Sequence, residues 1–291
     1  MSAIHPFAWH NGVLVAGSDI RLSPFQTGLL SGWGLFSTLR IYQGVPFAFE
    51  EHWRRLAADG ERLHVDMAEL AGEAERGFAA LVEANRAQEA VARIYCIRNH
   101  GGLLDQPSPR PTDLLIFTRE LRTWPATAKL RLQPHGRHAQ APLAGTKTLT
   151  WAHNLVLLEE ANRDGFDDVL LLNERGEVAE CTSANLFAVR AGALLTPPLS
   201  AGALPGVSRR VVLEAAPRHG LPAAEQTLRP EDLYAADEVF ITSTTREVQP
   251  VAALDARVLT PGPVTARVAE LFRREVAAYV AARRTSAAIA P

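Results

Sequence analysis

Apolar and polar residues change rhythm several times along the chain. Between residues 50 and 63, Trp53, Leu56 and Ala57 recur on one face at helical spacing, which predicts a helix. A second helix is predicted over residues 67–85. Short apolar runs at residues 13–15, 39–42 and 47–49 predict strands, with Gln43-Gly44 as the turn joining the last two. Strands are also predicted at 92–97, 113–118 and 130–133, followed by a helix from 151 to 164. Residues 168–172, DVLLL, form a nearly continuous apolar run, the pattern of a strand buried on both faces. The turn Asn173-Glu174-Arg175-Gly176 then returns the chain through a strand at 177–181, and another strand follows at 186–189. A helix over 207–218, a strand at 239–242 and an amphipathic helix from 264 to about 284 complete the pattern, with the last seven residues expected to fray.

Around residues 122–128 (RTWPATA) the periodicity weakens and a proline intervenes, so a linker is expected there. It would separate an N-terminal α/β domain, residues 1–121, from a C-terminal domain, residues 129–291. Strands and helices mixed in both halves predict two α/β (α+β) domains.

Composition narrows the function classes. Of the 291 residues, 47% are hydrophobic and 21% charged, which is globular rather than disordered composition. A net charge of -2 supplies no attraction to nucleic acid or to an anionic membrane surface. No stretch reaches the ~20 apolar residues that span a bilayer, and MSAIHPFAWHNG has neither the basic nor the apolar part of a signal peptide. A cytoplasmic protein is expected. Cys96 and Cys181 form no CxxC pair, so neither a disulfide framework nor a metal site is expected. Of the 30 basic residues only Lys129 and Lys147 are lysine. A lysine amine, unlike a guanidinium, can lose its proton and form a Schiff base.

Three segments suit a phosphate-bearing cofactor. Gly206-Val207-Ser208-Arg209 opens a helix, whose N-terminal N–H groups attract phosphate; taken alone, an ordinary serine cap is the plainer account. Thr242-Ser243-Thr244-Thr245 puts hydroxyl donors at a strand end, and a solvated loop explains them equally well. Glu180 lies on a short strand between apolar runs and is either a partly buried carboxylate or a surface one.

Taken in order, GLFSTLRIYQGVPF, EEHWRRL, KTLTW, EANRDGFDDVLLLNERGEVAECTSANLFAV, LLTPPLSAGALPGVSR and ADEVFITSTTREVQPV resemble the class IV aminotransferases, the fold-type IV pyridoxal-phosphate (PLP) enzymes. That family contains branched-chain and D-amino-acid transaminases and aminodeoxychorismate lyase. The resemblance covers residues 11 to 255 or so. It implies that Lys147 is the Schiff-base lysine and that Glu180 holds the pyridine nitrogen. It also implies that Arg55, Val207, Ser208, Ser243 and Thr244 contact the phosphate. With it come two α/β domains with the cofactor between them, a homodimer, and an amino acid and a 2-oxo acid as substrates.

The substrate is harder to read. In Phe36-Ser37-Thr38-Leu39-Arg40 a serine stands where many members carry glutamate, and the Thr-Leu-Arg ending looks closer to the lyase; Phe36 and Thr38 are candidate substrate contacts. Trp151 and Ala152 occupy the neighbourhood where branched-chain members carry a tyrosine. Arg98-Asn99-His100 has the composition of the carboxylate trap of D-amino-acid transaminases but sits a few residues early. Arg98 is therefore either a substrate contact or a strand-end arginine. The leading expectation is a transaminase, with branched-chain amino acids among its candidate substrates. The lyase, releasing pyruvate, is the rival, and a non-catalytic PLP-binding homologue the third reading.

Overall fold

Alternation along Gly34–Tyr42 decides the first half of the molecule. Leu35, Leu39 and Ile41 point one way into a core, and Phe36, Thr38 and Arg40 point the other. The computed structural model describes residues 3–101 and 108–289. Its contacts divide into two units. Unit 1 holds the described residues up to Arg122, the segment Lys147–Thr150 and the chain from Tyr279 onward; unit 2 holds Thr123–Thr146 and Trp151–Ala278.

In unit 1 the elements are β1 (Ile4–His10), β2 (Val13–Ala16), α1 (Thr27–Ser31), β3 (Gly34–Tyr42), β4 (Val45–Pro46), α2 (Phe49–Leu63), α3 (Leu70–Ala84), β5 (Glu89–Arg98) and β6 (Thr112–Arg119). The strands form one antiparallel sheet in the order β2-β1-β6-β5-β3-β4. Leu56 and Leu63 of α2 pack with Leu70, Ala74, Phe78 and Leu81 of α3 against this sheet. Full burial of Leu56 contributes about 1.5–3 kcal/mol by area. Glu50 and Glu51 in the first turn of α2 favour its positive end, and Arg62 the other. Gly60 makes room on this helix for Met67, whose Cγ would stand 2.5 Å from a Cβ there.

The strand predicted at 47–49 is absent. Phe47 N–H bonds back to Arg40 O, Ala48 turns in the left-handed region at φ 52°, and Phe49 already belongs to α2. β1 and α1 carried no sequence prediction.

Unit 2 contains β7 (Ala128–Gln133), α4 (Ala152–Arg163), β8 (Asp168–Leu172), β9 (Val178–Cys181), β10 (Asn185–Arg190), β11 (Ala193–Thr196), α5 (Val207–Arg218), β12 (Ala223–Glu225), α6 (Pro230–Tyr234), β13 (Glu238–Ser243), β14 (Glu247–Leu254) and β15 (Arg257–Val258). The sheet runs β12-β11-β10-β13-β14-β7-β8-β9, with β15 on β14. It is mixed: β7 pairs parallel with β8 and β14, and β11 with β12. Every residue of β8 is buried, as the apolar run predicts, including Asp168. The last helix, α7 (Pro263–Ile289), continues past the expected end near residue 284.

The lysine was expected in the C-terminal domain. Its segment belongs with unit 1, because the bonds that hold it go to β3: Lys147 O accepts from Phe36 N, and Leu149 N donates to Gly34 O. Both cysteines are buried; desolvation pushes the Cys96 thiol up to about 12 and raises Cys181 well above the ordinary thiol range.

Candidate active site

Lys147 is held mainly through its backbone. Besides the bond to Phe36 N at 3.2 Å, its own N–H donates to Asp59 Oδ2 at 3.2 Å, and Thr148 bridges Leu35. Gly34 permits this approach, since a Cβ there would stand 2.7 Å from Leu149 Cδ1 and 2.5 Å from Cys96 O. Lys147 Nζ lies 4.4 Å from the centre of the Phe36 ring. The ring face steadies the end of this flexible, half-buried side chain, whose amine can shed its proton and attack a carbonyl.

Behind β3, α2 presents three polar residues on its otherwise apolar face. Ser37 Oγ is 2.9 Å from His52 Nδ1 and accepts from Arg55 Nη2 at 2.9 Å. Burial, then the charges of Arg55 and Lys147, hold the His52 imidazole well below its ordinary value. Burial also raises the Asp59 carboxyl, and the Lys147 N–H and the nearby cations only partly offset this. A carboxyl whose folded pKa exceeds its unfolded one stabilises the fold fully below the unfolded value; that contribution is lost as pH rises through the folded one. Asp59→Asn, which keeps an acceptor for Lys147 N–H, should therefore flatten the fall in stability just above the normal carboxylate range. Denaturant melts from pH 4 to 7 measure this, and an unchanged slope would remove Asp59 as its source.

Phe36 is buried and stacks on Tyr95, while Thr38 is half-buried opposite Arg93 in the β3–β5 register. Arg98 is engaged within unit 1 by backbone carbonyls and an aromatic ring. Its Nε donates to His100 O at 2.7 Å, its Nη1 to His64 O at 2.9 Å, and its guanidinium lies 4.1 Å from the Trp33 ring centre. Backbone carbonyls absorb those donors, so the strand-end reading of Arg98 fits the geometry better.

In unit 2, Glu180 on β9 is buried and its carboxylate is met from both sides. Oε1 accepts from Arg137 Nε and Nη2 at 3.2 and 3.0 Å; Oε2 accepts from Leu204 N at 3.0 Å and, at 3.4 Å, from Asn185 Nδ2. Arg137 Nη1 reaches Asn154 Oδ1 as well. Asn185 fills the space beside Gly206, where a Cβ would stand 1.9 Å from Asn185 Oδ1. Gly206 N-caps α5 without a side-chain bond, leaving the first-turn N–H groups of Val207 and Ser208 without intrahelical partners. Ser208 is buried, and Ser243 and Thr244 are half-buried at the end of β13.

Beneath that strand end lies a buried ion pair. Arg246 Nη2 donates to Asp168 Oδ2 at 3.0 Å, both side chains being almost wholly inaccessible. Ser183 and Thr182 also donate to Asp168, and the Arg246 guanidinium lies 3.8 Å from the Trp124 ring centre.

Sequence reasoning missed His52, Asp59, Arg137 and the Asp168–Arg246 pair. His52 and Asp59 did leave a signal, as polar residues seven apart on the stripe that buries Leu56 and Leu63. Arg137 lies in an aperiodic Pro/Gly/His-rich stretch that gave none. Among the described residues no cluster of three or more His, Cys, Asp or Glu could hold a metal, and no helix is long and apolar enough to cross a membrane.

Residues 34–254 match the model of the amino-transferase class IV family. A Methanocaldococcus jannaschii protein, provisionally named a branched-chain-amino-acid aminotransferase, is 32% identical over 90% of this chain and 94% of its own. The aminodeoxychorismate lyase of Bacillus subtilis is 28% identical over 91% and 93%. Among solved structures, the branched-chain aminotransferase of the thermophilic archaeon Thermoproteus uzoniensis, with norvaline, superposes with a TM-score of 0.84 at 27% identity. The match covers 94% of this chain and 95% of the archaeal one. The fold is thus the fold-type IV architecture, and the chain is an enzyme that belongs to the class IV aminotransferase family.

Proposed function

We propose that the protein is a transaminase that moves the amino group of an amino acid, of the branched-chain type, to a 2-oxo acid, with PLP carried on Lys147. The observation that carries this reading is the placement of Lys147: one of two lysines in an arginine-rich chain, fixed by backbone bonds to β3 and by Asp59, with its amine over Phe36.

The residues present suit the cofactor. Glu180 is a buried carboxylate whose bond from Asn185, at 3.4 Å, is the long one; yielding it would free a lone pair for the N–H of a pyridinium ring. The uncapped start of α5 with Val207 and Ser208, the hydroxyls of Ser243 and Thr244, and the Arg55 guanidinium are the donor types a phosphate dianion needs. When bound, PLP supplies an electron-withdrawing ring that stabilises charge developing at the substrate α-carbon. Glu180 would hold the proton on the ring nitrogen. The Lys147 amine would take up the proton lost from the substrate α-carbon and later give it back as an acid. Phe36 and Thr38, on the face of β3 turned toward the amine, would meet the substrate. The homodimer implied by the resemblance and a cytoplasmic location belong to the same proposal.

Aminodeoxychorismate lyase is the second reading, favoured by the Thr-Leu-Arg stretch at residues 38–40 and by the B. subtilis relative. The visible spectrum of the purified protein separates the two. Branched-chain L-amino acids should bleach the band of the lysine-bound cofactor, and a 2-oxo acid should restore it. A band inert to those amino acids and to D-alanine, with pyruvate released from aminodeoxychorismate, would replace the transaminase by the lyase. No band with PLP added would remove the cofactor assignment.

A further inference from the structure

Ser37 is wholly buried on the core side of β3, beneath α2, and touches two chemically unlike groups. A guanidinium has donors and no acceptor, so the bond from Arg55 Nη2 must use a lone pair of Ser37 Oγ. The hydroxyl proton then has one partner among the described residues, His52 Nδ1 at 2.9 Å. If the imidazole donated instead, the hydroxyl proton would be left unsatisfied in the interior, which is costly. The hydrogen bonds therefore run in one direction, from Arg55 through Ser37 to His52, and they require Nδ1 to be bare and Nε2 to carry the proton. A cationic imidazole would break the chain at its last link. It would also stand buried near Arg55 and Lys147, the two cations that already disfavour its charge; Asp59, farther along α2, is engaged by Lys147 N–H.

We propose that Ser37 is a positioning residue: its hydroxyl fixes the Arg55 guanidinium and locks His52 as the neutral Nε2–H tautomer. Lys147 and Arg55 are then the cationic groups of this cluster, and neither competes with an imidazolium for the anion. The inference rests on the reading of Arg55 as a phosphate contact. It extends that reading to a residue for which no role had been assigned. Ser37 touches neither cofactor nor substrate; it acts through its two neighbours.

The test uses the protein labelled with 15N-histidine, with PLP affinity measured on the apoprotein by fluorescence. In the wild type, His52 should show an unprotonated, hydrogen-bonded Nδ1 and a protonated Nε2; the reverse tautomer overturns the proposal. Ser37→Ala should weaken PLP binding about tenfold to a hundredfold, the range for a hydrogen bond to a charged group. It should also shift the His52 Nδ1 resonance. Ser37→Thr, which keeps the hydroxyl, should restore both readouts. A Ser37→Ala protein with wild-type affinity and an unmoved His52 resonance sinks the inference, as does a folded Ser37→Thr protein that behaves like alanine. If threonine does not fit, the two alanine readouts decide alone. Arg55→Ala distinguishes the layers. Should it leave PLP affinity intact, the phosphate reading fails; should it weaken PLP while Ser37→Ala does not, only this inference fails.

Discussion

Lys147→Ala is expected to yield a folded protein with no visible cofactor band and less than about 10⁻⁴ of wild-type turnover. A positioned general acid–base contributes about 10²–10⁴-fold by itself, and loss of the covalent attachment adds to that. The fold should survive, because the segment is held by backbone atoms: Lys147 O to Phe36 N, Lys147 N to Asp59, Leu149 N to Gly34 O. Lys129 offers no substitute, since it is exposed on β7 in unit 2. Steady-state turnover, the spectrum and a thermal melt together check the prediction. Activity within about tenfold of wild type, at an unchanged melting temperature, would take the chemistry away from this lysine.

The largest effect on stability is expected at Arg246. Replacing it with methionine keeps the apolar contact with Trp124 but leaves Asp168 buried with donors only from Thr182, Ser183 and the Val169 N–H. Breaking one half of a buried pair costs about 3–5 kcal/mol, enough to lower the melting temperature by roughly 10 °C in a chain of this size. Arg246 Nη1 also bonds Gln249, whose amide reaches Pro125 O, so the segment at Trp124–Pro125 should loosen with it. Removing both charges, as in Arg246→Met with Asp168→Asn, should cost less than the sum of the single changes, because no uncompensated charge remains. Denaturant melts of the three variants measure this cycle. Strict additivity, or a single variant as stable as wild type, would show that the pair is not coupled.

Local pattern carried much of the secondary structure. The apolar run at 168–172 is β8 to the residue, and 207–218 is α5 to the residue, because each is bounded by strong punctuation: Asn173–Gly176 on one side of the first, Pro205-Gly206 before the second. The motif order was legible too, since a family's spacing of lysine, glutamate and hydroxyl residues is written along the chain. By contrast, 47–49 read as strand because Phe-Ala-Phe has strand composition, yet Ala48 turns at φ 52°, with Phe47 packed on Tyr42 and Tyr279 and Phe49 on Trp53 and Phe78. Periodicity cannot see that turn; only the packing of α2 on the sheet requires it.

What the chain by itself supplied was therefore the residues for which the chemistry is proposed: Lys147, Glu180, Arg55 and the hydroxyls. Tertiary structure decided how each is held. It joined Lys147 to β3 and Asp59, gave Glu180 the Arg137 guanidinium, and placed Ser37 between His52 and Arg55. It also turned Arg98 toward backbone carbonyls. Glu180 and Arg137 are 43 positions apart and Asp59 and Lys147 are 88. Hydrogen bonds and ion pairs act over about 3 Å of space whatever the separation along the chain, so no local pattern announces them.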